Sequence, residues 1–378
     1  MKNIVKILVL ILFLGVFGVG KAYAEQPAAT VKSEFVMDYY TETIIHESNA
    51  DKKLPIASMV KIMTALLAFE KVDNGEISLE QKVAVSPNAE SMGGSQMFLE
   101  AGDEYTVSDL LKGIIVVSAN DASVQIAELI AGSESKFVEM MNARAKELGM
   151  TNTVFVNATG LPAGGQYSTA RDVAIMLKEL SKHEKYYDYS KIWIENFNHP
   201  DGRVTEFVNT NKLIRFNRDC EGGKTGFTQE AKFCLATTAK RDETRLICVV
   251  IGADTSKNRF ARATELLNEG FSSYVNSKVV SKDVKYENEI KILGGKEKTI
   301  FAYPDRDLFV FRSKNEAQNF EVDFEIFETL RAPIKKGDTV GRVVVNSNGK
   351  TQTANLVADR DVDKKSLLDA IKDLFRTW

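Results

Sequence analysis

The chain has 378 residues, of which 44% are hydrophobic, so it is long enough for two ordinary domains with full cores. Its formal net charge of -3 is small for this length, which excludes an electrostatic attraction to nucleic acid. Three cysteines and three histidines occur without a C-x-x-C pair or an H-E-x-x-H pattern. We therefore expect neither a disulfide scaffold nor a zinc peptidase, and no metal or other cofactor.

The N-terminus has the pattern of a secretory signal peptide, which we assign to residues 1–24. A cationic start leads into an apolar run over residues 7–20, and Ala22 and Ala24 form an A-x-A cleavage site. The apolar run is shorter than the ~20 residues of a spanning helix, which favours a cleaved signal over a signal anchor. We expect cleavage after Ala24 and export of the mature protein.

Ser58 and Lys61 stand at the start of a predicted helix, with Pro55 just upstream. Their spacing places a hydroxyl and an amine on one helical face, close enough to exchange a proton. Apolar neighbours disfavour the charged ammonium, which would make Lys61 a base near neutral pH. Because S-x-x-K is a short and common pattern, a plain amphipathic helix remains an alternative.

Two further polar segments are ambiguous when each is taken alone. Ser118-Ala119-Asn120 follows an apolar run and precedes a helix, which indicates either a turn facing a cavity or a helix cap. Lys224-Thr225-Gly226 lies between predicted strands. It offers a charge, a hydroxyl and a backbone that a ligand can approach closely, or it is a hairpin turn with an exposed lysine.

The character of the sequence changes after residue 275. Residues 25–275 combine a mostly helical stretch with later strands, whereas short strands and turn signals over residues 276–360 predict a second, all-β domain. Residues 361–378 are predicted to form an amphipathic helix with Leu367, Ile371 and Trp378 on its apolar stripe. Such a helix packs on its own protein or lies in a membrane surface, and the predicted export favours the membrane.

The motifs S-x-x-K at 58–61, S-A-N at 118–120 and K-T-G at 224–226 occur in an order that resembles penicillin-binding proteins and serine β-lactamases. Residues around Gly160 and over 223–228 are similar to those of the low-molecular-mass D-alanyl-D-alanine carboxypeptidases. The resemblance covers nearly the whole mature chain. It implies an α+β, penicillin-binding/β-lactamase-like transpeptidase fold, with an antiparallel sheet and a helical subdomain, followed by a small all-β domain.

Carried over to this sequence, the resemblance implies a role for each motif residue on the helical side. Ser58 would be the acylated nucleophile and Lys61 its general base. Ser118 would relay the proton to the leaving D-alanine. Asn120 would hold the substrate amide and orient Lys61.

The strand motif would bind the substrate. Lys224, Thr225 and Gly226 would hold the terminal carboxylate, with Arg259 from the following helix as a helper. The backbone N–H groups of Ser58 and Phe227 would form the oxyanion hole. Phe227 departs from the family, because some members have histidine directly after K-T-G.

Two other positions also depart from some family members. Thr159 stands where some have histidine, and Thr210 stands where some have arginine in the strand before K-T-G. These departures affect the expected substrate preference and rate more than the reaction type.

The resemblance implies a serine D,D-carboxypeptidase that removes the terminal D-alanine from peptidoglycan stem peptides and is acylated by β-lactams. It would act outside the cytoplasm, at the membrane face and cell wall. One alternative is a β-lactamase, which needs a glutamate to activate the deacylating water, and Glu195 and Glu206 lie in the relevant interval without the expected loop pattern. The other is a non-catalytic wall-binding protein, against which the intact motifs argue.

Overall fold

A five-stranded antiparallel sheet forms the centre of the first domain in the computed structural model, which describes residues 30–347 and 349–366. In spatial order its strands are Ile44–Ser48, Ser33–Asp38, Thr244–Ala253, Lys232–Arg241 and Cys220–Thr228. The N-terminal strand thus pairs with a strand from the end of the domain, and Cys220–Thr228 is left at one edge.

The alternation of side chains along these strands produces two cores, one on each face of the sheet. Val36, Leu235 and Val250 pack with the helix Ser256–Ser273 on one face. On the opposite face, Phe35, Ala236 and Val249 pack against the helical region. The sheet is therefore buried on both faces, as its nearly continuous apolar strands require.

In chain order, the helical region lies between the strand Ile44–Ser48 and the edge strand Cys220–Thr228. Its helices are Lys61–Asp73, Pro87–Glu90, Val107–Lys112, Asn120–Ala131, Glu134–Glu147, Ala170–Leu180, Tyr186–Ser190 and Leu213–Phe216. Two hairpins pair Lys82–Ala84 with Glu104–Thr106 and Ile194–Asn198 with Val204–Val208. The helix Lys61–Asp73 lies at the centre, because its residues from Lys61 to Phe69 are all buried.

A separate all-β domain follows the helix Ser256–Ser273. Its strands are Tyr274–Val280, Ile290–Lys291, Thr299–Ile300, Ala302–Pro304, Leu308–Ser313, Glu321–Ile326, Thr339–Ser347 and Lys350–Ala358. The last two strands form the middle of a four-stranded antiparallel sheet. The two domains confirm the predicted α+β fold, with a small all-β domain after a sheet that carries a helical subdomain.

The predicted start of the terminal helix at residue 361 is wrong. Val362 pairs with Ile334 and Lys364 pairs with Gly295 as isolated β-bridges. The Val362 side chain is also buried in the core of the β domain, so residues 361–366 belong to that domain and are not helical. The rest of that prediction, residues 367–378, and the signal peptide, residues 1–24, lie outside the described residues.

Among the helices of the described residues, none combines the length and the apolar character needed to cross a lipid bilayer.

Candidate active site

Ser58 lies in a tight 3-10 turn, Ala57–Val60, that leads directly into the helix Lys61–Asp73. Two glycines allow other segments to approach this turn. A Cβ atom on Gly160 would lie 2.1 Å from the Ala57 carbonyl oxygen and 2.9 Å from the Ser58 nitrogen. A Cβ atom on Gly226 would lie 2.6 Å from the Ile56 carbonyl oxygen and 3.3 Å from the Ser58 nitrogen. Ser58 is therefore enclosed between a loop and the edge strand of the sheet.

Lys61 is fully buried beside Ser58 and is held by oxygen atoms from distant parts of the chain. Its Nζ donates to Asn120 Oδ1 at 2.6 Å and to the Thr159 carbonyl oxygen at 2.5 Å, and it lies 3.4 Å from Ser58 Oγ. Burial, with a smaller contribution from the Lys224 charge, lowers the pKa of Lys61 well below its usual range. The site therefore favours a neutral amine next to the serine hydroxyl.

Ser118 lies between two helical segments, and Asn120 opens the second of them. The π-helical segment Gly113–Val117 ends at Ser118, which has left-handed backbone angles (φ 66, ψ 34). Asn120 then starts the helix Asn120–Ala131. Its Nδ2 donates to the Gly93 carbonyl oxygen at 2.7 Å, which fixes the amide so that Oδ1 faces Lys61.

Lys224 projects from the edge strand towards Ser118. Its Nζ donates to Ser118 Oγ at 2.8 Å and to the Thr225 carbonyl oxygen at 3.1 Å. Burial, followed by the charge of Arg259, lowers the pKa of Lys224 to about 7. The motifs at 58–61, 118–120 and 224–226 thus meet around one cleft, and the second is linked to the other two by direct hydrogen bonds.

Thr225 is buried in the edge strand, and Phe227 and Arg259 lie on either side of Gly226. The Phe227 side chain is 47% exposed and packs on Phe233, with ring centroids 4.4 Å apart. Arg259 is buried behind the strand, where Nη1 donates to the carbonyl oxygens of Gly226 at 3.4 Å and Cys234 at 3.1 Å. Arg259 therefore contacts the K-T-G backbone rather than the open cleft.

Two contributions to the site were missed by the sequence reasoning. Thr159 holds Lys61 through a backbone carbonyl, which no side-chain pattern reveals, although Gly160 directly after it signalled an unusual turn. Asp121 is buried, and its carboxylate accepts the backbone N–H groups of Met97 and Leu99 at 3.1 Å. It thereby ties the loop on the far side of the cleft to the start of the Asn120 helix.

Comparison with known proteins agrees with this geometry. The sequence profile of the D-alanyl-D-alanine carboxypeptidases matches residues 21–255, and that of the penicillin-binding protein 5 C-terminal domain matches residues 274–364. The chain belongs to the D-alanyl-D-alanine carboxypeptidase family. The resemblance found from the motifs is therefore confirmed.

Relatives in this family match over almost the full chain. The D-alanyl-D-alanine carboxypeptidase DacF of Bacillus subtilis is 39% identical over 353 residues, which are 93% of this chain and 90% of the relative. The carboxypeptidase DacC of Escherichia coli is 32% identical over 94% of this chain and 90% of its own length.

Two solved structures superpose over most of the chain. Penicillin binding protein 5 from Haemophilus influenzae superposes with a TM-score of 0.68 at 30% identity, covering 89% of this chain and 99% of its own. A peptidoglycan synthesis regulatory factor (PBP3) from Streptococcus pneumoniae gives a TM-score of 0.72 at 26% identity, with 89% of this chain and 100% of that chain covered.

Proposed function

We propose that this family member is a serine D-Ala-D-Ala carboxypeptidase that acts through an acyl-enzyme on Ser58. The observation that carries the proposal is the position of Lys61, a fully buried amine 3.4 Å from the Ser58 hydroxyl. A neutral amine has two N–H donors, and Asn120 Oδ1 and the Thr159 carbonyl oxygen accept two hydrogen bonds from it. Its lone pair is then left to take the Ser58 proton.

In the acylation step, Ser58 Oγ bonds to the carbonyl carbon of the penultimate D-alanine while its proton moves to Lys61. The carbonyl oxygen becomes an oxyanion, which the backbone N–H groups of Ser58 and Phe227 stabilise. The proximity of Gly226 to the Ser58 nitrogen supports this assignment, because it brings the two peptide groups to one side of the serine.

Collapse of the tetrahedral intermediate breaks the carbon–nitrogen bond to the terminal D-alanine. The leaving amine takes a proton that passes from Lys61 through the Ser118 hydroxyl. The hydrogen bond from Lys224 to Ser118 Oγ orients this hydroxyl. In deacylation, water attacks the ester, its proton moves to Lys61, and Ser58 recovers a proton as the peptide acid leaves.

The terminal carboxylate of the substrate binds at the strand motif. Lys224 supplies the positive charge, the Thr225 hydroxyl supplies a hydrogen bond, and Gly226 leaves room for close approach. A carboxylate next to Lys224 also favours its protonated form, so the substrate strengthens its own anchor.

We also propose that the protein acts outside the cytoplasm, as a family of cell-wall enzymes requires. The signal peptide pattern over residues 1–24 supports export, and the amphipathic pattern over residues 367–378 supports attachment to the membrane surface. Because residues 361–366 belong to the β domain, the informative truncation removes residues 367–378 alone. It should release the protein from membranes with unchanged activity, and sedimentation of the truncated form with membranes would contradict the anchor.

Intact-mass measurement after brief exposure to penicillin tests the catalytic proposal. We expect a persistent adduct on the mature protein and on Ser91→Ala, a control in the exposed loop near the cleft, but none on Ser58→Ala. The wild type should also release D-alanine from a pentapeptide. An adduct that disappears with rapid drug turnover would indicate a β-lactamase, and wall binding without adduct or hydrolysis would indicate a non-catalytic protein.

The contacts of Glu195 give the β-lactamase alternative no support. Glu195 lies in the hairpin strand Ile194–Asn198, where its carboxylate accepts a hydrogen bond from Lys112 at 2.5 Å.

A further inference from the structure

The environment of Arg259 is unusual for a guanidinium group. The side chain is 6% exposed, and among the described residues no carboxylate forms a salt bridge with it. Nη1 and Nη2 donate to neutral oxygen atoms, Nε has no partner, and the group lies 4.3 Å from the Phe260 ring centroid. Burial lowers the pKa of Arg259 to about 10. Burying a charge without a counter-ion is costly. Ion pairing therefore does not account for the buried position of the Arg259 guanidinium.

The direction of the edge-strand peptides provides that explanation. The Gly223 N–H donates to the Tyr186 hydroxyl at 2.8 Å, and the Thr225 carbonyl oxygen accepts from Lys224, so both groups point away from the neighbouring strand. Pairing with the strand Lys232–Arg241 continues without a register shift from Gly222 to Thr228. Because backbone groups alternate sides along a strand, the Phe227 N–H also points out of the free edge, on the side of Ser58.

The Gly226 carbonyl belongs to the same planar peptide group as the Phe227 N–H and points in the opposite direction. This carbonyl is the one that Arg259 contacts. A positive donor on the carbonyl oxygen polarises the peptide group, which makes its N–H a stronger donor, and it also fixes the orientation of the N–H.

We propose that Arg259 is a positioning residue that sets the strength and direction of the Phe227 N–H in the oxyanion hole. This inference rests on the proposed function and deepens it. The guanidinium acts through one peptide group and does not touch the substrate carboxylate. The Arg259 guanidinium would stabilise the transition state most, because preorganised donors contribute most when negative charge develops on the substrate carbonyl oxygen.

The test uses a probe that fills the oxyanion hole but has no carboxylate. A peptide ending in D-boroalanine forms a tetrahedral adduct with a nucleophilic serine, so its affinity reports on the oxyanion hole alone. We expect Arg259→Met to weaken this affinity, and to slow kcat for the D-Ala-D-Ala peptide, by about tenfold with little change in KM. Arg259→Lys should restore part of both, because an ammonium group can still donate to the Gly226 carbonyl.

Lys257→Met is the matched control, since it removes a positive charge from the exposed side of the same helix start. It should leave boronate affinity and kcat unchanged. Thermal melting checks that each Arg259 variant is folded. If Arg259→Met does not fold, Arg259→Lys and Arg259→Gln carry the test, and affinity should follow the order Arg, Lys, Gln.

An infrared readout separates this role from a general loss of structure. The ester carbonyl of the penicillin acyl-enzyme on Ser58 should vibrate at a higher frequency in Arg259→Met, because a weaker oxyanion hole polarises it less.

Unchanged boronate affinity and carbonyl frequency, with a raised KM for the peptide, would overturn the inference and leave Arg259 as a carboxylate helper. A wild type that shows neither adduct nor hydrolysis would instead overturn the proposed function.

Discussion

The two walls of the cleft are built in different ways. The helical wall, comprising Ser58, Lys61, Ser118 and Asn120, joins segments far apart in sequence, and its lysine is held by a side-chain amide and a backbone carbonyl. The strand wall, residues 224–227, is one edge strand fixed by main-chain pairing. Both lysines are buried and both have lowered pKa values. In the proposed mechanism, burial makes Lys61 a base and holds Lys224 near neutral pKa, so that a bound anion would decide the charge of Lys224.

Removal of the helical-wall base should have the largest effect. Lys61→Met keeps an apolar chain of similar length but removes the group that takes the Ser58 proton, so we expect the rate of acylation by penicillin to fall about 10³-fold. Time-resolved intact mass measures this rate. Lys52→Met, at an exposed position before the serine turn, should react like the wild type. Acylation of Lys61→Met at the wild-type rate would refute the proposed base.

The second largest effect is expected at Gly160, whose missing side chain lets its loop approach the turn that carries Ser58. Gly160 has φ 80, and a Cβ atom there would lie 2.1 Å from the Ala57 carbonyl oxygen. Gly160→Ala should therefore displace Ser58 and lower kcat/KM by about 10²-fold. Gly164→Ala is the control, because a Cβ atom at Gly164 meets nothing within 4 Å. Equal activity of the two variants would show that the close approach is unimportant.

Deprotonation of Lys224 should cause kcat/KM for the peptide to fall at alkaline pH. Lys224 has a pKa of about 7 in the free enzyme and must be protonated to bind a carboxylate, so kcat/KM for the peptide should fall about tenfold by pH 8. Lys61 must instead be neutral to act as the base, so its protonation should lower kcat/KM at acid pH. Lys224→Arg keeps its charge at these pH values and should remove the fall. Persistence of the same alkaline limb in Lys224→Arg would assign it to another group.

The smallest effect is on stability. The pKa of Lys224 falls from 10.5 to about 7 on folding, so the unfolded chain binds more protons between those pH values and stability rises with pH. Burial of the Lys224 charge lowers the free energy of unfolding by its full amount below pH 7, and this destabilisation disappears as the pH rises towards 10.5. Lys224→Met should therefore raise the stability by roughly 2 kcal/mol near pH 6, with a smaller gain at pH 10. Thermal melting at both pH values measures this difference, and a gain independent of pH would exclude linkage to Lys224.

Much of the fold and the motif residues could be predicted from the sequence. Short-range patterns predicted the S-x-x-K helix and the all-β domain, because periodicity and turn residues act locally. They left residues 118–120 open between a turn and a cap, and they placed K-T-G between strands, whereas it lies within the strand Cys220–Thr228. The terminal helix was placed too early, since residues 361–366 are held by partners elsewhere in the β domain. Local amphipathicity does not report such distant backbone pairing.

The sequence alone determined which chemical groups are available: three hydroxyls, two lysines, an amide and glycines at fixed spacings. Tertiary structure decided how those groups behave. The backbone carbonyl of Thr159 became a partner of Lys61 across 98 positions of the chain, and Arg259 came to lie behind Gly226. Backbone groups are the same at every residue, and desolvation depends on what surrounds a side chain in space. For that reason, the motifs and the lowered pKa of Lys61 could be predicted from the sequence, whereas the lowered pKa of Lys224 and the contacts of Arg259 required the fold.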